Sequence, residues 1–151
     1  MTYKNGNAPL YWAAWEGHTE VVSLLISANA NVNHANKNGN TPLYSAARES
    51  HPEVVSLLIS ANADVNQANK DGYSPLYSAA QRGHTAVVPL LISANADVNQ
   101  GNKIGETPLY SAAHRGHTAV VSLLISANAD VNRAKTDGYT PLYRAAEKGH
   151  T

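Results

Sequence analysis

The chain has 151 residues, no cysteine, and 11 basic against 11 acidic residues, so its formal charge at neutral pH is zero. A dedicated nucleic-acid binder normally carries a basic surplus, which this composition lacks. Disulfides, cysteine-ligated zinc and cysteine nucleophiles are excluded. The apolar runs fall well short of the roughly 20 residues of a membrane span, and no signal peptide opens the chain. These features favour a soluble protein of the cytoplasm or another reducing compartment.

An internal repeat of 33 residues organises the chain. It is seen most simply in the spacing of five glycines and five prolines: Gly6, Gly39, Gly72, Gly105 and Gly138, and Pro9, Pro42, Pro75, Pro108 and Pro141. The units run approximately over residues 5–37, 38–70, 71–103 and 104–136, and a partial fifth unit covers 137–151. Because no stretch has the composition of a linker, we predict a single repeat domain over residues 1–151.

Each unit opens with a tight turn followed by a short helix, as the second unit illustrates. Gly39 in an Asn-Gly step predicts the turn, because glycine tolerates positive φ. Thr41 is a good N-cap, and Pro42 suits the first helical position, where its missing N–H is no loss. The helix is predicted to run to about Arg48 or Glu49. Three of its side chains should face inward: Leu43, Ala46 and Ala47.

A second helix follows in the same unit. Pro52 suits its start, and Asn62 follows it where a residue in the left-handed conformation should end the helix. Between them lies an apolar stripe at helical spacing, formed by Val54, Val55, Leu57, Leu58 and Ile59. Two helices of this length cannot bury their apolar faces alone. The units must therefore stack, which predicts an all-α solenoid of helix-turn-helix repeats.

One residue of the third unit conflicts with its helix. Pro89 occupies the slot that is filled by Ser23, Ser56 and Ser122 in the other units. If this helix starts near Thr85, Pro89 removes one of its backbone hydrogen bonds. Replacing Pro89 by serine should then raise the melting temperature.

The repeated motif resembles the ankyrin repeat over essentially the whole chain. The third unit carries it as Asp71-Gly72-Tyr73-Ser74-Pro75-Leu76-Tyr77-Ser78-Ala79-Ala80, then Gly83-His84, Val87-Val88, Leu90-Leu91 and Ala96-Asp97-Val98-Asn99. The resemblance implies antiparallel helix pairs joined by hairpin-like loops and stacked into a curved array. Such arrays usually bind proteins, so the resemblance also implies a protein partner.

The chain departs from the ankyrin pattern at three positions of the unit. Tyrosine replaces the usual histidine after Pro-Leu, which predicts a ladder of Tyr11, Tyr44, Tyr77, Tyr110 and Tyr143. Asparagine stands where glycine is more usual, at Asn29, Asn62, Asn95 and Asn128. Ser50 replaces the glycine before His51.

Five histidines also recur once per unit: His18, His51, His84, His117 and His150. One repeat is too large a separation for two of them to ligate the same metal. The resemblance implies a structural role, with each imidazole hydrogen-bonded to nearby backbone. No Ser-His-Asp arrangement, phosphate-cradling glycine loop or paired carboxylates stand out. We therefore expect no enzyme activity, no cofactor and no metal.

Variable side chains within this constant frame are the candidates for function. In ankyrin arrays the turn tips and the solvent side of the first helix form the concave face, and here that surface is expected to include Ser45, Ser78 and Ser111. The predicted partner-binding residues are Trp12, Trp15, Arg48, Tyr73, Gln81, Arg82, Ile104, His114, Arg115, Tyr139 and Lys148. Exposed tryptophan favours a binding hot spot. Trp12 and Trp15 have an alternative role, as a partial cap over the first unit, and unconstrained surface positions also drift.

Two functions remain open at this point. The first is a module that binds a protein partner of unknown identity on its concave face, with no nucleic acid and no membrane involved. The alternative is a structural or engineered scaffold, or an excerpt of a longer array, with no natural partner. Neither end carries the polar outer face of a terminal repeat. This second reading therefore includes end-to-end association between copies.

Overall fold

The computed structural model describes residues 5–150, and the regular secondary structure of that range is entirely helical. The first helices of the five units are α1, α3, α5, α7 and α9, and the second helices of the first four units are α2, α4, α6 and α8. Their bounds are α1 Pro9–Glu16, α2 Thr19–Ser27, α3 Pro42–Arg48, α4 Pro52–Ser60, α5 Pro75–Arg82, α6 Val88–Ser93, α7 Pro108–Arg115, α8 Thr118–Ser126 and α9 Pro141–Glu147.

The helices form two layers. The first helices pack on one another in chain order from α1 to α9, and the second helices pack in the same order from α2 to α8. Each first helix of the first four units also contacts the second helix of its own unit. The core lies between the layers, and Leu43, Ala46 and Ala47 are at most 1% exposed there. The predicted stack of helix pairs is confirmed.

Local chemistry sets the helix ends as the sequence predicts. The hydroxyl of Thr41 accepts a hydrogen bond from the N–H of Tyr44 at 3.1 Å, and proline occupies the first helical position. Serine or threonine caps α5, α7 and α9 in the same way. After the second helices, four asparagines adopt left-handed φ values of 63–65°: Asn29, Asn62, Asn95 and Asn128. Asparagine is the residue that best replaces glycine there.

The second helix of the third unit differs from its counterparts. α6 has 6 residues, whereas α2, α4 and α8 have 9. Residues 85–87 form turns, and α6 begins at Val88, not near Thr85 as expected. Pro89 thus occupies the first turn of the helix, where a missing N–H is tolerated. The helix avoids an interior proline by starting later.

Tyrosines line the stack between units. Tyr11, Tyr44, Tyr77 and Tyr110 are buried, as the predicted ladder requires, whereas Tyr143 is 51% exposed. The hydroxyl of Tyr77 donates to Glu106 of the next unit at 2.9 Å. The hydroxyl of Tyr110 accepts from the Nε atom of Arg144 at 2.8 Å. Phenols in this position therefore link neighbouring units by polar contacts as well as filling space.

Candidate functional site

Histidines fix the ends of the first helices from one unit to the next. The Nε2 atom of His51 donates to the carbonyl oxygen of Trp15 at 2.9 Å. His84 makes the same bond to the carbonyl of Arg48 at 2.8 Å, and His117 to that of Gln81 at 3.0 Å. The interpretation of these three histidines as backbone-bonding residues is confirmed. Within residues 5–150, no group of three or more His, Asp or Glu side chains could hold a metal ion.

Asparagine side chains build the turn tips that lie beside these helix ends. The Oδ1 atom of Asn69 accepts from the N–H groups of Asp71 and Tyr73, both at 3.0 Å. Its amide nitrogen donates to the Oδ1 atom of Asn40, at the start of the same unit, at 3.0 Å. An asparagine that bonds backbone two and four residues further on holds a tight turn. The side chain of Tyr73 is placed by this turn, and its ring stacks on Tyr77 with centroids 4.9 Å apart.

A cleft of 460 Å³ lies between the second and third units. Four of the predicted partner-binding residues line it together: Arg48, Tyr73, Gln81 and Arg82. The rest of its wall is polar or aromatic, from Asn38, Asn40, Tyr44, Asn69, Lys70, Asp71 and Ser78. The cleft therefore offers donors, acceptors and aromatic surface to a ligand group, but no catalytic arrangement.

A second cleft, of 430 Å³, lies between the third and fourth units. Gln81 and Arg82 line it as well, so the two clefts adjoin along the end of α5. Its other lining residues are Arg115, His84 and His117. The two histidines were expected to be structural only. Their recurrence at the helix ends could have indicated that they also line the surface between units.

The two tryptophans of α1 have different environments. Trp12 is 42% exposed and meets the ring of Tyr11 edge-on, at 5.7 Å between centroids. Trp15 is half-buried, stacked on Tyr11 at 6.2 Å and covered by the guanidinium of Arg48 at 5.2 Å. Arg48 also pairs with Glu49 at 3.5 Å. Trp15 is therefore less exposed than expected, and its ring edge and Arg48 form one composite surface.

The fourth and fifth units contribute a more crowded patch. The ring of Tyr139 lies under the guanidinium of Arg144 at 4.2 Å, and Arg144 pairs with Glu147 at 2.6 Å. His114, one of the predicted partner-binding residues, is half-buried and stacked on Tyr110 at 6.3 Å. Its Nδ1 atom is buried without a hydrogen-bond partner. Tyr139 and His114 line neither cleft.

Ile104 and Lys148, the remaining predicted residues besides Trp12, also lie outside both clefts. Ile104 is 48% exposed at a turn tip, and Lys148 is exposed at the end of α9. The expectation that Ser45, Ser78 and Ser111 face solvent is wrong, since all three are at most 5% exposed. The hydroxyl of Ser45 donates to the carbonyl of Pro42 in its own helix at 2.8 Å. The buried hydroxyl of Ser45 therefore has a hydrogen-bond partner without contact to solvent.

Two pKa shifts describe the electrostatics of this region. The pKa of His114 is lowered from its ordinary 6.5, first by burial and then by Lys148, Arg144 and Arg115 nearby. The pKa of Tyr77 is strongly raised, mainly by burial and despite a hydrogen bond to Ser111 that lowers it; the carboxylate of Glu106 adds to the increase. The first shift comes mainly from burial, with smaller contributions from cations near the ends of α7 and α9. The second shows that this phenol stays protonated.

Family comparison agrees with the geometry. The family model described as ankyrin repeats (3 copies) matches residues 10–102 and 76–151. The chain belongs to the ankyrin repeat family. Ankyrin repeats are generally protein-protein interaction modules, and the family is typically non-catalytic. No individual curated protein matches the chain. Among residues 5–150 of this ankyrin array, no helix is long and apolar enough to cross a membrane.

Proposed function

We propose that this ankyrin array is a non-catalytic module that binds a protein partner on the face carrying the two adjoining clefts. The observation that supports it most is the position of Gln81 and Arg82, which line both clefts at once. A partner seated over the end of α5 would therefore reach three successive units. In ankyrin arrays this face is the concave one.

The chemistry of the clefts suits a protein ligand. Arginine and aromatic side chains carry most of the binding energy at protein interfaces, and here they alternate along the surface. Trp15 and Arg48 are stacked on each other, and Tyr73 is held by its stack on Tyr77. Side chains that are already ordered lose little conformational entropy when a partner covers them. These groups are thus suited to be anchors.

A pull-down from lysate followed by mass spectrometry tests this proposal, with Trp15→Ala, Arg82→Ala and Arg115→Ala as variants. Each should weaken the capture of a specific partner, since truncating a central anchor costs about 2 kcal/mol or more. Arg133→Ala is the matched control for the two arginines, because Arg133 is also exposed but lines neither cleft. Unchanged capture in all three variants would argue against this face.

A second candidate function, association between copies, has an observation of its own. Val54, Val87 and Val120 are fully buried, but the equivalent Val21 of the first unit is 46% exposed, and Leu24 on the same helix is 70% exposed. A groove of 280 Å³ between α8 and α9 is lined by apolar side chains: Leu109, Ala113, Val121, Ile125, Val131, Pro141, Leu142 and Ala145. The exposed side of α2 and this apolar groove lie on the first and last units, and we propose that they pack against each other in successive copies.

Contact between a side of one copy and a different side of the next is heterologous and propagates. Light scattering over a concentration series should then show a rising average mass, and Leu24→Glu should abolish the rise. Leu24→Glu leaves the cleft surface intact, so it separates this candidate from partner binding. A constant monomer mass in the unsubstituted chain would exclude it.

A further inference from the structure

One position of the repeat carries a charge in every unit, and the sign changes along the array. The residues at the last position of the first helices or directly after it, spaced by 33 positions, are Glu16, Glu49, Arg82, Arg115 and Lys148. Glu49 is half-buried and the other four are exposed. The first two units therefore present carboxylates where the last three present cations. This polarity matches the chain as a whole, with two surplus acidic residues in 1–75 and two surplus basic residues in 76–151.

The three cations of this row are not compensated inside the described chain. Within residues 5–150, Arg82, Arg115 and Lys148 form no ion pair. By contrast, Arg144 pairs with both Glu147 and Asp137, at 2.6 Å and 3.8 Å. The cations in the row thus remain available to an external anion.

The half-buried His114 lies within the electrostatic influence of this row. His114 precedes Arg115, and besides burial its neutral form is favoured by Lys148, Arg144 and Arg115. Glu106 acts in the opposite direction but is the smallest of these influences. Arg115 and Lys148 of the row thus lie close enough to one half-buried imidazole to disfavour its protonation, in addition to burial.

The spacing of the row restricts its ligand. Packed helices lie about 8–10 Å apart, so equivalent residues of neighbouring units repeat at about this distance. A polyproline-type segment returns to the same side every third residue, after about 9 Å. Carboxylates at every third position of such a segment would therefore meet one cation per unit. A compact anion could reach only one of them.

We propose that Arg82, Arg115 and Lys148 bind an acidic segment of a protein partner, with carboxylates spaced at about one per repeat. This inference rests on the proposed function, because it assigns the partner class to the same face. Glu16 and Glu49 set the direction of the segment, since its acidic part is repelled from the first two units. A nucleic acid fits less well, because its uniform phosphate backbone would also meet Glu16 and Glu49, which occupy the same row in the first two units.

Fluorescence anisotropy with a labelled peptide of about twelve residues, glutamate at every third position and proline between, tests the proposal. We expect saturable binding at low salt that weakens as salt screens it. Arg82→Gln and Arg115→Gln should each weaken binding about threefold to fivefold, the upper part of the range of exposed charge pairs. Arg133→Gln removes the same charge outside the row and should change binding less than about twofold.

Three results would overturn the proposal. They are no binding of this peptide, equal loss in Arg115→Gln and Arg133→Gln, or tighter binding of a single-stranded oligonucleotide with the same number of charges. A peptide with its glutamates grouped at one end should bind more weakly than the spaced one. Failure here is distinct from failure of the proposed function. A captured partner that depends on Trp15 but not on Arg82 or Arg115 would leave partner binding standing and remove only the acidic segment.

Discussion

Replacing Pro89 by serine should stabilise the array, because this proline shortens α6. Pro89 has no N–H to donate to the carbonyl of Thr85, and the N–H of Leu90 makes no bond to Ala86. In α8 the equivalent residues, Ala119 and Leu123, are both helical. The substitution should extend α6 back to Thr85 and restore two backbone hydrogen bonds.

The magnitude follows from these two bonds. Each contributes about 0.5–1.5 kcal/mol net. The greater freedom of serine in the unfolded chain offsets about 0.4–1 kcal/mol of this gain. Residues 85–87 already form turns, with Val87 bonded to the carbonyl of His84 at 3.2 Å, so little additional ordering is required. The two bonds together gain about 1–3 kcal/mol, so the net stabilisation is centred on about 1.3 kcal/mol. This corresponds to a rise of about 3–5 °C in Tm for a domain of this size.

Thermal unfolding followed by circular dichroism measures this change, and the helical signal of the folded state should also increase slightly. Ser122→Pro is the matched control, because Ser122 holds the same position in the intact α8. It should lower Tm, since an interior proline costs about 3 kcal/mol or forces the helix to start later. An unchanged or lower Tm in Pro89→Ser would refute the reasoning.

Three further outcomes are expected. Ser50 adopts a left-handed φ of 60°, so Ser50→Gly should raise the free energy of unfolding by about 0.5–1 kcal/mol in a urea titration, and no gain would show that the serine is unstrained. Burial raises the pKa of Tyr77, so its phenol should not ionise in the usual tyrosine range during an alkaline absorbance titration. Tyr77→Phe should therefore leave the number of phenols that ionise in that range unchanged, and the loss of one of them would contradict this. The imidazole of His114 should titrate below its ordinary 6.5 by NMR in the free chain, because burial and three cations disfavour its protonation. A measured pKa at or above that value would contradict this expectation. Binding of an acidic peptide should raise the pKa of His114.

The sequence predicts those parts of the fold that depend on chemistry within one unit. The cap at Thr41, the helix start at Pro42 and the left-handed Asn62 are each determined by neighbouring residues, and all three are confirmed. The start of α6 was not predicted correctly. A proline in that slot can either break one bond or displace the helix start, and the choice depends on how residues 85–87 pack.

The surface is predictable only in part, because it forms between units. The 33-residue period shows that positions such as Arg48 and Gln81 vary while their neighbours are constant, but it does not give the distances between side chains of adjacent units. The shared lining of two clefts by Gln81 and Arg82 therefore appears only in the structure. Ser45 shows the opposite error, since a polar residue was expected at the surface and its hydroxyl is satisfied within its own helix.

The histidine bonds have a consequence for how readily the surface can be altered. The side chains of His51, His84 and His117 donate hydrogen bonds to main-chain oxygens. These oxygens belong to three of the candidate binding residues, Trp15, Arg48 and Gln81. A main-chain oxygen is the same whatever side chain its residue carries. Recognition is thereby uncoupled from folding at these positions. Their side chains can be exchanged while the hydrogen bonds between units are kept, so the binding specificity of the array can be changed one position at a time.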